Sequence, residues 1–276
     1  MGEFIKLNYT HTKLYNKYID KYFYDNLYLS LDFSRNLSNA KYEKKSGDFY
    51  GYIENEELLG VFVFSNNNIL HLSFIDDSVL KKVDLLRAIK FYSPVIIKGK
   101  KDNLEKIIKL FEKSILDIKV NDFHIMKYNG DKIETDCLTD KIDIECINNS
   151  FDFLIDVEKA FDRNPKLLND IRTKNLKKYN SNEYFAFTDE NKIIAQGMLE
   201  NKGENNIVIG GIYTDENFRK RGYARKIVKK LVKEVINNNK IPILLVKKDN
   251  KKAINLYNDI GFEIMSDFRI LELTII

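Results

Sequence analysis

The sequence predicts an α/β fold of two similar units, each with a mixed, mostly antiparallel sheet flanked by helices. Three observations support this prediction. Apolar residues recur at helical spacing in some segments and form short strand-like runs in others. Turn-forming residues separate these runs. The order helix, three strands, helix, strand, helix, strand occurs twice, as a repeat of elements rather than of sequence identity.

Composition and charge exclude several classes of protein. Of the 276 residues, 44% are hydrophobic and 31% are charged, a balance that supplies packed cores and differs from that of a disordered chain. No apolar run reaches the roughly 18 residues of a membrane helix, and the polar N-terminus lacks the apolar middle of a secretory signal. The net charge of +4 permits an anionic ligand without requiring nucleic acid. We expect neither a membrane nor a nucleic-acid partner, and the oligomeric state stays open.

Cysteine and histidine residues give no indication of a metal site. Cys137, Cys146 and three scattered histidines lack the spacing of metal ligands. Two cysteines are also too few for a disulfide scaffold. We therefore expect reduced thiols in a cytoplasmic protein that holds no metal.

The first half of the chain predicts one complete set of these elements. A turn at Asn129-Gly130-Asp131 and the polar stretch after it place a domain boundary between residues 1–135 and residues 136–276. The predicted elements before it are a helix with its apolar face at Leu14, Tyr15, Tyr18, Ile19, Tyr22 and Phe23, strands at Tyr50–Ile53, Leu58–Phe64 and Ile69–Ile75, a helix at Val79–Phe91, a strand at Pro94–Lys98, a helix at Leu104–Ile115 and a strand at Phe123–Tyr128.

The second half predicts a similar order. Its sheet is expected to be mixed, because strands joined by tight turns lead into strands joined through helices. The predicted elements are a strand at Ile142–Ile147, helices at Phe151–Phe161 and Pro165–Thr173, strands at Tyr184–Thr188, Ile193–Glu200 and Ile207–Thr214, a helix at Arg221–Val235, a strand at Ile241–Lys247, a helix at Asn250–Asp259, and strands at Phe262–Met265 and Ile270–Ile275.

A basic loop at a strand-to-helix junction, Arg219–Ala224, has the features of a phosphate or pyrophosphate site. A helix N-terminus carries unpaired N–H groups and about half a positive charge. Gly222 lets the backbone approach a ligand closely, and Ala224 keeps the next inward position small. No acidic residue interrupts the stretch from Arg219 to Lys230. The alternative is a solvated basic face on a surface helix, but the junction favours an anion site.

A second motif follows the next predicted strand. Asn250 opens a predicted helix as an N-cap would, Ala253 and Tyr257 share one face of that helix, and Gly261 ends it. Taken alone, Tyr257 is best explained as a core aromatic residue that anchors the helix.

Together the two motifs resemble the GNAT N-acetyltransferase superfamily. The resemblance covers roughly residues 183–265 and rests on R-x-x-G-x-A followed about 26 residues later by N-x-x-A-x-x-x-Y-x-x-x-G-F. The phrase IGGIYTDENFRKRGYA is similar to the subgroup that has a degenerate N-terminal half and a catalytic C-terminal half. The matching residues are Arg219, Gly222, Ala224, Asn250, Ala253, Tyr257, Gly261 and Phe262.

The resemblance implies direct transfer of an acetyl group from acetyl-CoA to an amine. It implies that Tyr257 contacts the cofactor and protonates the departing thiolate. It also implies that Asn250 contacts the cofactor. The strands that carry Thr214 and Leu245 are implied to splay apart and admit the thioester. The other implied cofactor-binding residues are Ile212, Tyr213 and Thr214 for the pantetheine arm, and Arg219, Lys220, Arg221, Gly222, Tyr223, Ala224 and Arg225 for the pyrophosphate.

The general base and the acceptor are not assigned by the sequence. Asn206–Gly210 has no carboxylate where some relatives place a glutamate, and Glu200, Glu183 and Asp215 are the candidates. Small amines, amino acids, antibiotics and protein amino groups are all possible acceptors. The main alternative function is a catalytically silent acyl-CoA binder or sensor. The even charge balance outside Arg219–Lys230 disfavours a nucleic-acid-binding module.

The first unit is expected to have lost cofactor binding. Its matching stretch, Leu70–Leu85, has no glycine between strand and helix, and Asp76 and Asp77 stand where a phosphate needs positive charge. Asn103 loosely parallels Asn250, but Leu110 follows at the position that Tyr257 occupies in the second unit. Shaping the acceptor pocket and stabilising the second unit are both possible roles.

Overall fold

The structure is a computed structural model that describes residues 2–22, 47–111, 117–135, 139–140, 144–161, 183–202 and 205–274. The chain divides into two compact units. Unit 1 consists of Met1–Ile125, Val246–Asn250 and Ile264–Ile276, and unit 2 consists of Met126–Leu245 and Lys251–Glu263. The domain boundary expected after residue 135 stays a prediction, because compact units and folding domains need not coincide.

The described residues form eleven strands, eight α-helices and two short 3₁₀ helices, which confirms the predicted α/β class. The strands are β1 (Glu3–Lys6), β2 (Gly47–Glu54), β3 (Glu57–Ser65), β4 (Ile69–Phe74), β5 (Ile96–Lys100), β6 (Asp117–Tyr128), β7 (Tyr184–Asp189), β8 (Lys192–Lys202), β9 (Asn206–Thr214), β10 (Ile241–Lys247) and β11 (Phe262–Thr274). The helices are α1 (Thr12–Lys21), α2 (Ser78–Lys82), α3 (Leu85–Tyr92), α4 (Lys101–Phe111), α5 (Ile144–Asn149), α6 (Phe151–Ala160), α7 (Tyr223–Asn237) and α8 (Lys251–Ile260). In the described part of the chain, no helix is long and apolar enough to cross a membrane.

The sheet of unit 1 has an antiparallel part and one parallel junction. β1, β2, β3 and β4 pair antiparallel in chain order, β5 lies parallel to β4, and β11 lies antiparallel to β5. One core contains Phe62, Leu72 and Ile97, and a second core packs α1 residues such as Tyr15 against Val61 of β3. Strands β2 and β3 contribute side chains to both cores, so this part of the sheet is covered on both faces.

The sheet of unit 2 has the order β10-β9-β8-β7, with β10 parallel to β9 and the other pairs antiparallel. Helix α7 covers one face through a buried stripe at Ile227, Val228, Leu231, Val232 and Val235. On the other face, Phe153 of α6 packs in a core with Ala186 of β7 and Ile193 of β8. Helices on both faces fix the sheet whose strand ends carry the predicted site.

One predicted element of unit 2 is wrong. The stretch expected as a strand at Ile142–Ile147 contains helix α5 from Ile144 to Asn149. A short apolar run does not distinguish a strand from a buried helical turn. The helical form is held by Ser150, whose hydroxyl donates to the carbonyl of Cys146 at 2.6 Å and accepts the backbone N–H of Ile193 at 2.7 Å.

Other differences are smaller. Strand β1 was not predicted, and the single helix expected at Val79–Phe91 is two helices, because the Asp84 side chain accepts the N–H of Arg87 and caps a new start. The two C-terminal strands are one strand, β11. The helix predicted at Pro165–Thr173 and the thiol of Cys137 lie outside the described residues.

Candidate active site

The parallel strands β9 and β10 of unit 2 separate soon after they begin to pair. Their pairs are Asn206 with Ile241, Ile207 with Pro242 and Val208 with Ile243, and no further pair joins the described residues of these strands. β9 nevertheless continues to Thr214. Its last residues therefore have no ladder hydrogen bonds to β10, and a gap opens on that side.

A β-bulge accompanies the separation of the two strands. The pairing of β8 with β9 shifts register between Gln196 and Met198, and Gly211 has a φ of +60°, which glycine adopts without steric cost. The Gln196 amide donates to the Gly211 carbonyl at 3.1 Å, and the Tyr184 hydroxyl donates to Gln196 Oε1 at 2.7 Å. A bulge bends its strand, and this one lies in the part of β9 beyond its last pair with β10.

The residues predicted to contact a pantetheine arm, Ile212, Tyr213 and Thr214, form the half-buried end of β9. Thr214 Oγ1 is buried, and no described residue hydrogen-bonds it. A buried hydroxyl without a partner costs about 1–3 kcal/mol. Tyr213 packs edge-on against Phe153 of α6, with ring centroids 5.4 Å apart, and burial raises its pKa.

Arg219 ties the loop back to the end of β9. Its Nε donates to the Thr214 carbonyl at 3.1 Å, and its guanidinium lies 5.7 Å from the centre of the Tyr213 ring. The same group pairs with Glu216 at 2.9 Å. Asp215 accepts the N–H of Asn217 at 2.8 Å and closes the short 3₁₀ turn of residues 216–218. Arg219 therefore holds the loop in position, since its charge is already paired.

The loop ends at Gly222, directly before the first helical residue of α7. Gly222 has a φ of +83°, and a Cβ atom there would meet nothing within 4 Å. Lys220 also has a positive φ, of 63°, which is uncommon for a residue with a side chain. The loop thus has an unusual backbone with open space in front of the helix start.

The first turn of α7 contains the predicted residues Tyr223, Ala224 and Arg225. No side chain among the described residues caps this helix, because its N-cap residue is Gly222. The N–H groups of the first turn consequently lack intrahelical acceptors, and the helix dipole makes this end favourable for an anion. The arrangement has the chemistry of a phosphate site.

Cationic side chains surround this helix start. The Arg221 guanidinium lies 5.0 Å from the Phe218 ring centre, and Lys226 Nζ lies 5.6 Å from that of Tyr223. Arg225 forms an ion pair of 2.8 Å with Asp259 of α8. Lys220, Arg221 and Lys226 have no ion pair to a described carboxylate, so they supply net positive charge beside the loop.

Tyr257 is a buried residue of α8, with its ring centroid 5.9 Å from that of Phe262. Burial raises the pKa of its phenol to about 12. No described residue hydrogen-bonds its hydroxyl. The group is therefore protonated at neutral pH and can donate a proton or a hydrogen bond.

Asn250 directly precedes α8, as expected for a helix cap, and its backbone N–H donates to the Lys247 carbonyl at 3.0 Å. It belongs to unit 1, whereas the loop and Tyr257 belong to unit 2. Among the described residues, no cluster of three or more His, Cys, Asp or Glu side chains could hold a metal.

Two contributors to this geometry were missed by the sequence analysis. Gln196 and Tyr184 hold the bulge at Gly211, and neither belongs to a recognised motif. The paired glycines Gly210 and Gly211 were the available signal, because glycine inside a strand often marks a bulge.

Comparison with known families assigns this region. The sequence signature of the acetyltransferase (GNAT) family matches residues 151–262, which include the bulge, the basic loop, α7 and Tyr257. Residues 151–262 are a GNAT domain. Families of this kind transfer acyl groups, so acyl transfer is the general chemistry that the match supports. No curated protein matches the sequence.

Solved structures with low sequence identity share the fold. A GNAT-family acetyltransferase from Colwellia psychrerythraea has 14% identity and a TM-score of 0.57, over 99% of this chain and 100% of the other. A GCN5-related N-acetyltransferase from Sphaerobacter thermophilus has 11% identity and a TM-score of 0.64, over 98% and 94%. A tandem GNAT protein from the clavulanic acid biosynthesis pathway has 8% identity and a TM-score of 0.56, over 98% of both chains. Because the tandem GNAT structure covers nearly the whole chain, the first half of the chain shares this fold as well.

The corresponding region of unit 1 differs in charge. The Asp76 carboxylate accepts the N–H of Ser78 at 2.7 Å, at the start of α2. Asp77 forms an ion pair with Lys106 of α4. An acidic side chain thus occupies the helix start that would otherwise be open to an anion.

Proposed function

We propose that the chain is an N-acetyltransferase that transfers an acetyl group from acetyl-CoA to an amine. The observation that carries the proposal is the gap between β9 and β10, which opens beside the uncapped, glycine-led start of α7. A strand edge without ladder bonds suits an extended amide-containing arm, and a helix start suits a pyrophosphate. Acetyl-CoA has both groups and supplies an acyl group activated as a thioester.

The residues present fit this cofactor. Gly222 leaves open space where any other residue would place a Cβ atom. The N–H groups of Tyr223, Ala224 and Arg225 would hold the pyrophosphate, with charge from Lys220 and Arg221. In addition, Thr214 Oγ1 is a buried hydroxyl without a described partner, and Ile212 and Tyr213 complete the end of β9 that does not pair with β10. We also propose that Asn250 contacts the cofactor, as the family resemblance implies.

Tyr257 would act as the acid of the reaction. Its raised pKa keeps the proton on the phenol at neutral pH, so the hydroxyl can protonate a thiolate that leaves the thioester. Backbone N–H groups at the end of β9 would stabilise the oxyanion, and one such donor contributes roughly 3 kcal/mol. No covalent intermediate is needed, so buried Cys146 has no catalytic role in this scheme.

We propose that residues 136–276 form the catalytic domain and that residues 1–135 form a degenerate GNAT-like domain. The support for degeneracy is the Asp76 carboxylate at the start of α2, where a phosphate would be repelled. This domain then contributes stability or part of the acceptor pocket. It would not bind acetyl-CoA.

Thermal unfolding with added ligands tests the proposal. A ligand that binds the folded state at a hundredfold excess over its Kd stabilises it by about 2.7 kcal/mol. We expect acetyl-CoA and CoA, but not ATP, to raise the melting temperature of the wild-type chain. An amine screen that detects thiol release then identifies the acceptor.

The outcomes separate the possibilities. Absence of a shift at saturating acetyl-CoA would remove the cofactor site. A shift in melting temperature, without release of CoA thiol in the presence of any amine tested, would indicate a silent acyl-CoA binder or sensor.

A further inference from the structure

Glu200 of β8 fills the space left by the missing side chain of Gly210 on β9. A Cβ atom on Gly210 would lie within 2.7 Å of the carboxyl carbon and both carboxylate oxygens of Glu200. The strands are neighbours, and Gly210 pairs with Met198, two residues before Glu200. A side chain at residue 210 would displace this carboxylate, so the glycine and the glutamate form one arrangement.

This carboxylate lies over the part of β9 that no longer pairs with β10. The last pair of these strands joins Val208 with Ile243, and Gly210 is the second residue beyond it. Glu200 is an exposed residue, so solutes in the surrounding solvent can approach it. A cationic amine would be attracted to this position.

The other candidate bases are placed less favourably. Asp215 lies beyond the end of β9, at the start of the short turn of residues 216–218. Glu183 directly precedes β7, which β8 and β9 separate from β10. Glu200 starts on β8, but its carboxylate reaches across to β9. A carboxylate is therefore present beside β9, although β9 itself carries none.

We propose that Glu200 receives the ammonium group of the acceptor and removes its proton. This inference rests on the proposed function. One proton moves from the ammonium nitrogen to a Glu200 carboxylate oxygen and then to solvent. The freed lone pair forms the bond to the acyl carbon as the C–S bond breaks. The second nitrogen proton, lost as the amide forms, balances the one that the leaving thiolate takes up. The acceptor class is an amine that is cationic at neutral pH.

Two thioether derivatives of CoA that carry no acyl group provide the first test. S-(2-aminoethyl)-CoA ends in an ammonium group, and S-propyl-CoA is a neutral analogue of similar size. By calorimetry at neutral pH, we expect the wild type to bind the ammonium derivative about tenfold more tightly than the neutral one. Glu200→Gln should bind both equally, whereas the control Glu183→Gln should keep the preference.

A relocated carboxylate sharpens this test. In Glu200→Ala with Gly210→Glu, the carboxylate moves onto β9 and the added Cβ enters vacated space. We expect this double variant to regain the ammonium preference that Glu200→Ala alone lacks. Retained binding of S-propyl-CoA shows that each variant is folded. The assignment of Glu200 is overturned if the wild type shows no preference for the ammonium derivative, or if Glu200→Gln keeps that preference unchanged. If neither derivative binds the wild type, the CoA site itself is refuted.

Proton removal is tested with two small nucleophiles. Hydroxylamine is largely neutral at neutral pH, whereas ethanolamine is largely protonated and needs a base. We expect Glu200→Gln to slow acetyl transfer to ethanolamine about tenfold more than transfer to hydroxylamine. Equal slowing of both reactions would overturn the role as a base.

Discussion

The side-chain amide of Asn103 forms two hydrogen bonds with the backbone of Phe74, the last residue of β4. Asn103 Oδ1 accepts the Phe74 N–H at 3.2 Å, and Asn103 Nδ2 donates to the Phe74 carbonyl at 3.1 Å. Both residues are buried. The backbone at the end of β4 is therefore satisfied within unit 1, whereas the corresponding strand of unit 2, β9, ends at the unpartnered hydroxyl of Thr214.

Replacement of Asn103 by Ala is expected to destabilise the protein by about 2–4 kcal/mol. The substitution leaves a buried N–H and a buried C=O without partners, and each such group costs about 1–3 kcal/mol. Urea unfolding measures the loss. Asn129→Ala is a matched control, because it removes one exposed hydrogen bond to Glu263 and should cost less than about 1 kcal/mol. Equal losses in the two variants would contradict a structural role for Asn103.

Substitutions of Gly222 are expected to weaken acetyl-CoA binding, and more so the larger and more negatively charged the new side chain is. Gly222→Ala adds a Cβ atom in the open space before α7 and forces a φ of +83°, which costs about 1–2 kcal/mol of stability. Gly222→Glu also adds negative charge and should abolish binding. Calorimetric titration with acetyl-CoA measures both effects.

Gly261→Ala is the control for backbone strain, because Gly261 ends α8 with a φ of +111°. It should lose stability and keep its affinity for acetyl-CoA. Wild-type affinity in Gly222→Glu would remove the loop from the binding site.

Local sequence signals predicted the junction between β9 and α7 well. The loop residues and the apolar stripe of α7 are contiguous, so their structure depends mainly on nearby residues. The gap beside Thr214 was expected only from the family resemblance. It depends on where the pairing of β9 with β10 ends, which is at Val208 and Ile243.

The features that were missed depend on contacts between distant residues. The carboxylate of Glu200 reaches Gly210 because of the way β8 pairs with β9, whose register shifts between Leu199 and Asn201 and leaves Glu200 as the extra residue. Similarly, the helix at Ile144–Asn149 forms where its apolar residues meet β7 and β8, and the short run alone did not distinguish it from a strand.

Thr214→Val is expected to change stability and binding in opposite directions. Valine keeps the shape of threonine and removes the unpartnered buried hydroxyl, so the ligand-free protein should be unchanged or more stable by about 1 kcal/mol. If Oγ1 bonds acetyl-CoA, affinity should fall about threefold to tenfold, which corresponds to one hydrogen bond. Urea unfolding and calorimetry measure the two effects.

Thr214→Ser keeps the hydroxyl and should keep most of the affinity. An unchanged affinity in the Val variant would exclude the hydroxyl as a ligand contact, and a large loss of ligand-free stability would show that it has a partner within the protein.

Tyr257→Phe is expected to slow acetyl transfer about 100-fold and to leave acetyl-CoA affinity unchanged, because only the acidic proton is lost. Initial rates with the amine found by the screen, together with calorimetry, measure this. Unchanged rates would make Tyr257 a purely structural aromatic residue.

The stability of the wild type and that of Tyr257→Phe are expected to depend differently on pH. Burial raises the pKa of Tyr257 from 10.0 to about 12, so between these values the unfolded chain binds fewer protons than the folded protein. The stability contributed by the buried phenol is complete below pH 10 and declines above it, by up to about 1.4 kcal/mol per pH unit. Phenylalanine has no such proton, so the wild type should lose stability relative to Tyr257→Phe as the pH rises to about 11. Urea unfolding at neutral pH and near pH 11 gives this difference, and an identical difference at both values would mean that the phenol titrates normally and is open to water.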